Sequence, residues 1–441
     1  MDQPVRSFSM PRHSVNAALT AAALLAFALG CAHDAKSPSH SEPPTASGSP
    51  APASVSGEAW LRFTEQLRAD GERILESDFP SAPGARAEGY RHLARLTVLA
   101  LQWFVDFDDV DFPRFFRHDD DITQWGGPNV DNTYLRARID GAGTYRVRGN
   151  IASVREVIVS IGDGDMHEGK FAAGGDLTSS QLDVDSEGNF ELVLSATPHP
   201  QPWLPIAPGV DFVNIRTYYS DWERDSPAEF QIERSDRTKR FPAPPTPAQI
   251  ADQLARASNW ISTALVYWKD FMDARHALMP VNVLSPPQSV KGGSSSIAYG
   301  GGKFELEPDQ ALIVETAVPE DVTYWSYQWY TYPWFEAPDY ANRQTHLTGD
   351  MMDVGADGKV RMVFAHSDPG VPNWIDTEGR RRLYVAYRYV GAKTAPAPSA
   401  RLVGFEEIAE VLPPDTPRVS EAERAKTIEM RREHVSRRFR R

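Results

Sequence analysis

The stretch TYWSYQWYTYPWFEAPDYANRQTHL, residues 323–347, decides how the rest of the chain is read. Between Tyr324 and Tyr340, nine of 17 residues are aromatic. Trp325, Tyr327 and Trp329 fall on one side of an extended chain. Tyr330, Tyr332 and Trp334 fall on the other, because successive side chains of a strand point to opposite faces. Both faces must therefore be covered or used. One set belongs to a core, since burying aromatic surface stabilises by about 25 cal/mol per Å². The other set is free to line a ligand groove. Pro333 and Pro338 interrupt the strand and place Glu336, Asp339, Asn342, Arg343 and His346 in a polar loop.

Runs of the same kind lie on either side. TYRVRGNI, REVIVSIG, NFELVLSA and DFVNIRTYYSDW precede a long helical stretch, and ALIVETAV, TYWSYQWY, VRMVFAHS and LYVAYRYV follow it. Set side by side, residues 127–235 and 305–392 read as one unit written twice. Thr144-Tyr145 aligns with Thr323-Tyr324, Glu187-Gly188-Asn189 with Asp357-Gly358-Lys359, and Val213–Tyr219 with Leu383–Tyr389. Any two antiparallel sheets share Asp-Gly turns, but the kept order of several landmarks favours duplication. The helical stretch starts at Thr246 with Pro247 in its first turn. There Ile250, Leu254, Ala257, Ile261, Leu265, Trp268 and Met272 form one apolar stripe. Residues 58–76 and 86–104 form an N-terminal helical pair. Residues 420–439 form a basic helix with a Ser420/Glu423 capping box, expected on a solvated or acidic face of its own protein.

The fold class expected is mostly β with helices (α+β): two related antiparallel β-sandwich-like domains, each preceded by helix. The division runs as a leader over 1–31, a tether over 32–57, and a helical pair plus first β domain over 58–240. A long helix plus second β domain follows over 241–412, and the basic helix over 413–441.

Lys and Arg total 46 against 60 Asp and Glu, a formal net charge of −14. Such a surface repels phosphate backbones, so nucleic acid is not an expected partner. Cys31 is the only cysteine, which excludes a disulfide scaffold and multi-cysteine metal sites. Arg6, Arg12 and His13 precede an apolar run, Ala17–Leu29, that is short for a membrane span. It ends in Ala28-Leu29-Gly30-Cys31, which resembles a bacterial lipobox. That resemblance implies acylation of Cys31, the alternative being a plain secretory signal with an incidental cysteine. Residues 32–57 are Ser-, Pro- and Ala-rich and read as a disordered tether. The expected location is the cell envelope, with a membrane partner through the lipid anchor and the body facing periplasm or exterior.

The 323–347 stretch has three companions: MVFAHSDPGVPNWIDTEGRRRLYVAYRY (362–389), GGPNVDNTYLRARIDGAGTYRVRGN (126–150) and NIRTYYSDWE (214–223). Together they resemble the bacterial proteins carrying the domain of unknown function 1214. Pro333-Trp334-Phe335-Glu336, the run Asp339–Thr345 and the run His366–Trp374 carry the likeness. It extends from about residue 60 to the end and implies a mostly β body. It implies no reaction, ligand or catalytic residue.

The sequence has no GxSxG elbow, HExxH, P-loop or GxGxxG at a strand–helix junction. Asp106 to Asp121 and Asp183 to Gly188 fail the EF-hand template, so no metal and no cofactor are expected, the alternative being an irregular calcium site over 106–121. The catalytic candidates are Glu336, Asp339, His366 and Asp368, and the ligand-binding candidates are Trp334, Asn342, Arg343, Asn373 and Trp374. Each has a structural alternative: Arg343 bracing Asp339, His366 as a hydrogen-bonded core residue, the aromatics as packing. Two functional readings follow. One is a surface-tethered module that binds a small or glycan-like ligand through an aromatic and charged pocket in the second β domain. The other is an extracytoplasmic hydrolase or lyase on an envelope or environmental polymer, with Glu336 or Asp339 and His366 as acid and base. A structural lipoprotein without ligand is the third. Cys31→Ala is expected to leave the protein unacylated and move it from the membrane to the soluble fraction. A wild type that is already soluble, with its mature N-terminus elsewhere, would contradict the lipobox.

Overall fold

The computed structural model describes residues 52–151, 153–170, 173–200, 202–290, 294 and 296–440. The leader with Cys31 and most of the tether segment lie outside the described residues.

Alternating sequence builds two sandwiches. The first unit contains β1 (Phe116–Asp119), β2 (Asn132–Arg138), β3 (Tyr145–Asn150), β4 (Glu156–Gly162), β5 (Ala173–Thr178), β6 (Asn189–Ser195), β7 (Trp203–Pro205), β8 (Phe212–Tyr218) and β9 (Glu229–Arg234). One sheet has the order β1-β2-β8-β4-β5 and the other β7-β6-β3-β9. The second unit contains β10 (Ile297–Glu305), β11 (Gln310–Ala317), β12 (Tyr324–Thr331), β13 (His346–Thr348), β14 (Lys359–Ala365), β15 (Trp374–Asp376), β16 (Arg382–Val390) and β17 (Ser399–Gly404). Its sheets are β10-β16-β12-β13 and β15-β14-β11-β17. The orders match strand for strand once β1 is set aside. They match down to the parallel pairs β6 with β7 and β14 with β15. The chain is mostly β with helices, two related β-sandwich-like domains. One sequence landmark is corrected: Tyr145 opens β3, whereas Tyr324 opens β12, the counterpart of β4. A Thr-Tyr pair marks entry into any strand and so aligned non-equivalent ones.

Within each sandwich the alternate residues form the core. Val213 and Ile215 of β8 pack with Leu192 and Leu194 of β6. Trp325, Tyr327 and Trp329 of β12 pack with Leu383, Val385, Tyr387 and Tyr389 of β16. Three helices close one side: α1 (Pro52–Arg73), α2 (Pro83–Leu101) and α3 (Pro247–Leu278). α1 starts inside the segment read as tether. Proline at a helix start loses no hydrogen bond, and Ala59 and Phe63 bury their side chains. α3 is 32 residues, about 48 Å long, and opens with a Thr246/Gln249 capping box. Its stripe from Leu254 to Met272 is buried against the helical pair and the second unit. No helix among the described residues is long and apolar enough to cross a membrane.

Two more helices end the chain, α4 (Ile408–Val411) and α5 (Glu421–Phe439). α5 does not simply lie on an acidic face: Arg424, Arg431, His434 and Arg438 are buried. Arg424 pairs with Asp368 at 2.8 Å. Arg438 sits among the rings of Tyr219, Trp222, Tyr340 and Phe439. Arg431 reaches the junction between the two units, where Asp131 is fully buried. Tyr324 Oη donates to Asp131 at 2.6 Å and Trp222 Nε1 at 2.9 Å, and His346 Nε2 lies 2.9 Å away. Arg431 Nη2 is 2.5 Å from His346 Nδ1. Burial pushes the His346 imidazole down to about 4. Burial also acts to raise Asp131, but the His346 and Tyr324 bonds outweigh it and hold the carboxylate low. A neutral imidazole therefore donates to Asp131 through Nε2 and accepts from Arg431 through Nδ1.

Asp131→Ala leaves the Trp222 indole N–H and His346 Nε2 without an acceptor in the interior, and takes from the Tyr324 hydroxyl its nearer one. We expect a loss of about 3–5 kcal/mol in urea unfolding. Asp339→Ala, at an exposed position where it caps its own loop, should lose no more than about 1 kcal/mol. Similar values for the two variants would refute the junction's importance.

Candidate functional site

On the central strands β8 and β16, the residues that leave the sandwich cores point at the other unit. These are Phe212, Asn214, Arg216 and Tyr218 on β8, and Tyr384, Ala386, Arg388 and Val390 on β16. Tyr218 and Tyr324 meet at 5.0 Å between ring centres, with Ile158, Ile297 and Val390 around them. Beside this contact the two faces part and enclose a cavity of about 600 Å³. α3 adds Trp268, Phe271 and Arg275 to the wall, and the loop after β12 adds Phe335. Gly126 and Gly127 complete it at φ +65 and +70. A Cβ on Gly127 would lie 2.2 Å from the Phe335 ring, so only glycine fits there. Exposed Lys170 and Val290 mark the opening to solvent.

The polar groups of the wall differ in how far they are satisfied. Arg136 holds Asp165 bidentately at 3.0 and 2.8 Å, and Trp260 Nε1 adds a third bond at 2.9 Å. Burial favours the neutral acid at Asp165, but Arg136 wins and keeps the carboxyl ionised. His118 Nδ1 lies 2.8 Å from Asp119 Oδ2 and His118 Nε2 3.3 Å from Asn214 Oδ1. Burial drives His118 down to about 3 and Asp119 well above the carboxylate range. Arg388 donates to Tyr330 Oη at 2.8 Å, and its Nε has no acceptor. The arrangement can stack an apolar or aromatic body and offers cationic donors to it. Among the described residues, no three His, Cys, Asp or Glu side chains gather as a metal site.

The sequence candidates lie elsewhere and apart from one another. Glu336 is buried against α2, 2.8 Å from His92 Nδ1 and bonded to Arg95. Burial raises its pKa, but His92 and Arg95 outweigh this and hold it low. Trp334 donates to Ala85 O at 2.9 Å inside the helical core. Asp339 caps its own loop by accepting from the Asn342 backbone and side chain. Arg343 pairs with Asp376, not Asp339, at 2.7 Å. His366 Nδ1 lies 2.6 Å from Thr377 Oγ1. Asp368 is taken by Arg424, Asn373 bonds the Asp353 backbone, and Trp374 donates to Ala365 O. Arg343, His366 and Asp368 do not gather into one site, because each polar group finds a different partner. The cavity belongs to both domains, not to the second alone.

Arg216 and Arg388 were missed. Aligning Val213–Tyr219 with Leu383–Tyr389 sets Arg216 against Ala386. In the sheets, Arg216 faces Tyr134 of β2 and Arg388 faces Tyr299 of β10, so the two arginines are equivalent. The available signal was an arginine alternating with core residues in each strand.

A family model described as "Protein of unknown function (DUF1214)" matches residues 300–394. None of the curated proteins matches the chain. Among solved structures, an uncharacterized protein from Burkholderia cenocepacia is similar at 33% identity and a TM-score of 0.75, over 80% of this chain and 99% of that one. The VPA0106 protein from Vibrio parahaemolyticus is 12% identical, with a TM-score of 0.42 over 71% of this chain and 98% of that one.

Arg343→Ala strips the buried Asp376 of its cation. Arg343 is half-exposed, so solvent screens the pair, and we expect a loss of about 1 kcal/mol in unfolding free energy. Occupancy of the cavity, followed by ligand-observed NMR, should not change. Lost occupancy with unaltered stability would return Arg343 to the site.

Proposed function

We propose that this chain, which belongs to the DUF1214 family of proteins of unknown function, is a small-molecule-binding protein. Its site is the cavity between the two β domains. One observation carries the reading: a solvent-connected cavity of about 600 Å³ lined by ten aromatic side chains, in the size range of ligand sites. Aromatic faces stack on flat apolar bodies and on sugar rings alike. Enclosure by two sheets favours a small molecule over a polymer. Acylation at Cys31 would tether this binding body to the envelope membrane. A hydrolase or lyase built on Glu336, Asp339 and His366 lacks a common cleft, since the three make separate internal contacts.

The test fills the cavity. Ala386 lines it from β16, and Ala386→Trp should occupy its volume. A panel of aromatic small molecules and cello-oligosaccharides is screened by ligand-observed NMR against both proteins. Aromatic compounds should bind the wild type, and the variant should lose at least ~10-fold in affinity with its fold intact by circular dichroism. Binding that survives the filled cavity would place the site elsewhere.

A further inference from the structure

We propose that the ligand of this cavity is an organic anion, its carboxylate held by Arg216 and Arg388 and its apolar body on the aromatic wall. The inference rests on the ligand-binding reading above and adds the chemical class of the ligand.

The two arginines occupy the same place in the two domains. Arg216 lies between Tyr134 of β2 and Ile158 of β4, and Arg388 between Tyr299 of β10 and Ser326 of β12. Both line the one cavity. Guanidinium stays charged in a protein interior, and its planar fork matches a carboxylate. Arg388 is 7% exposed, yet its only bond is to the Tyr330 hydroxyl, and its Nε donor is unused. Among the described residues, neither arginine has a carboxylate within ion-pair distance, and Arg216 has no hydrogen-bond partner either. A buried charge without a counter-charge is unfavourable, and a bound anion removes that penalty.

The remaining charges of the wall decide the sign of the ligand's charge. Arg136 and Asp165 satisfy each other. Asp119 lies 2.8 Å from His118 Nδ1 and accepts from the Trp125 backbone N–H. Asp176 is the third acid of the lining; it accepts from Ser294 Oγ at 2.5 Å and acts on Arg216 from beyond ion-pair distance. Arg216 is thus partly balanced and Arg388 is not. Arg275 and Lys170 add two further cations to the lining, so the wall carries an excess of positive charge that suits an organic anion.

Isothermal titration of the full chain with 2-naphthoate, 2-naphthamide and 2-naphthyl phosphate separates the possibilities. The first two share size and ring and differ only in charge. Naphthoate should bind at least ~10-fold tighter than the amide, and tighter than the phosphate. Arg388→Gln and Arg216→Gln should each shrink the naphthoate advantage toward parity while amide binding stays within about twofold. If Arg388→Gln fails to fold, the half-buried Arg216 position carries the test. Equal affinities for acid and amide, or an advantage untouched by the arginine variants, would overturn the anion assignment while leaving the cavity as a binding site. Tighter phosphate binding would overturn the carboxylate. If none of the three probes binds, the cavity reading fails and this inference with it.

Discussion

The buried carboxylate of Asp131 ties the molecule together. It belongs to the first β unit, and it is bonded by Trp222 from the same unit and by Tyr324 and His346 from the second. Through His346 it is also linked to Arg431 of the C-terminal helix. A fully buried charge is tolerated only when its lone pairs are filled. Here the donors come from three separate parts of the chain, so the carboxylate is satisfied only when all three are in place. Asn129 extends the network by donating to Tyr324 and Asn132. Two sandwiches joined only by apolar contact could slide. A polar hub with directional bonds fixes one arrangement.

That arrangement sets the cavity. With Tyr218 and Tyr324 packed beside the hub, the outward residues of β8 and β16 face each other across a gap. Strand alternation decides what enters it: every residue committed to a sandwich core leaves its neighbours to the interface. The result inverts the surface. The chain carries a net charge of −14, yet the gap presents Arg216 and Arg388 without ion-pair partners. An acidic exterior slows the approach of anions in general, and internal arginines select those whose apolar body also fits.

The aromatic strand gives the same lesson in miniature. Trp325, Tyr327 and Trp329 are the core set that period two requires. Of the opposite set, Tyr330 lines the cavity, Tyr332 bonds Asp273, and Trp334 leaves for the helical core. The polar residues after it looked like a site because charges, prolines and aromatics were dense there. They are dense because this loop is where α2, α5 and the second sandwich meet, and each charge answers one of those neighbours. Glu336 meets His92 and Arg95, Arg343 meets Asp376, and Asp368 meets Arg424.

The sequence by itself determined what local periodicity and repetition encode. It specified the principal strands, the long α3 stripe with its capping box, the α+β class and the doubling of the β unit. These follow from spacing along the chain, which needs no knowledge of what lies across a gap. β10, with three consecutive glycines, escaped that reading because it lacks an apolar alternation, and β9 because its alternation is only Phe230 and Ile232. The tertiary structure alone decided the partners of every charge and the location of the cavity. Arg216 and Arg388 are far apart in sequence, and their equivalence appears only through the sheet register. Whether a buried arginine is a brace or a receptor depends on a carboxylate within a few ångströms. The chain fixes that distance only by folding.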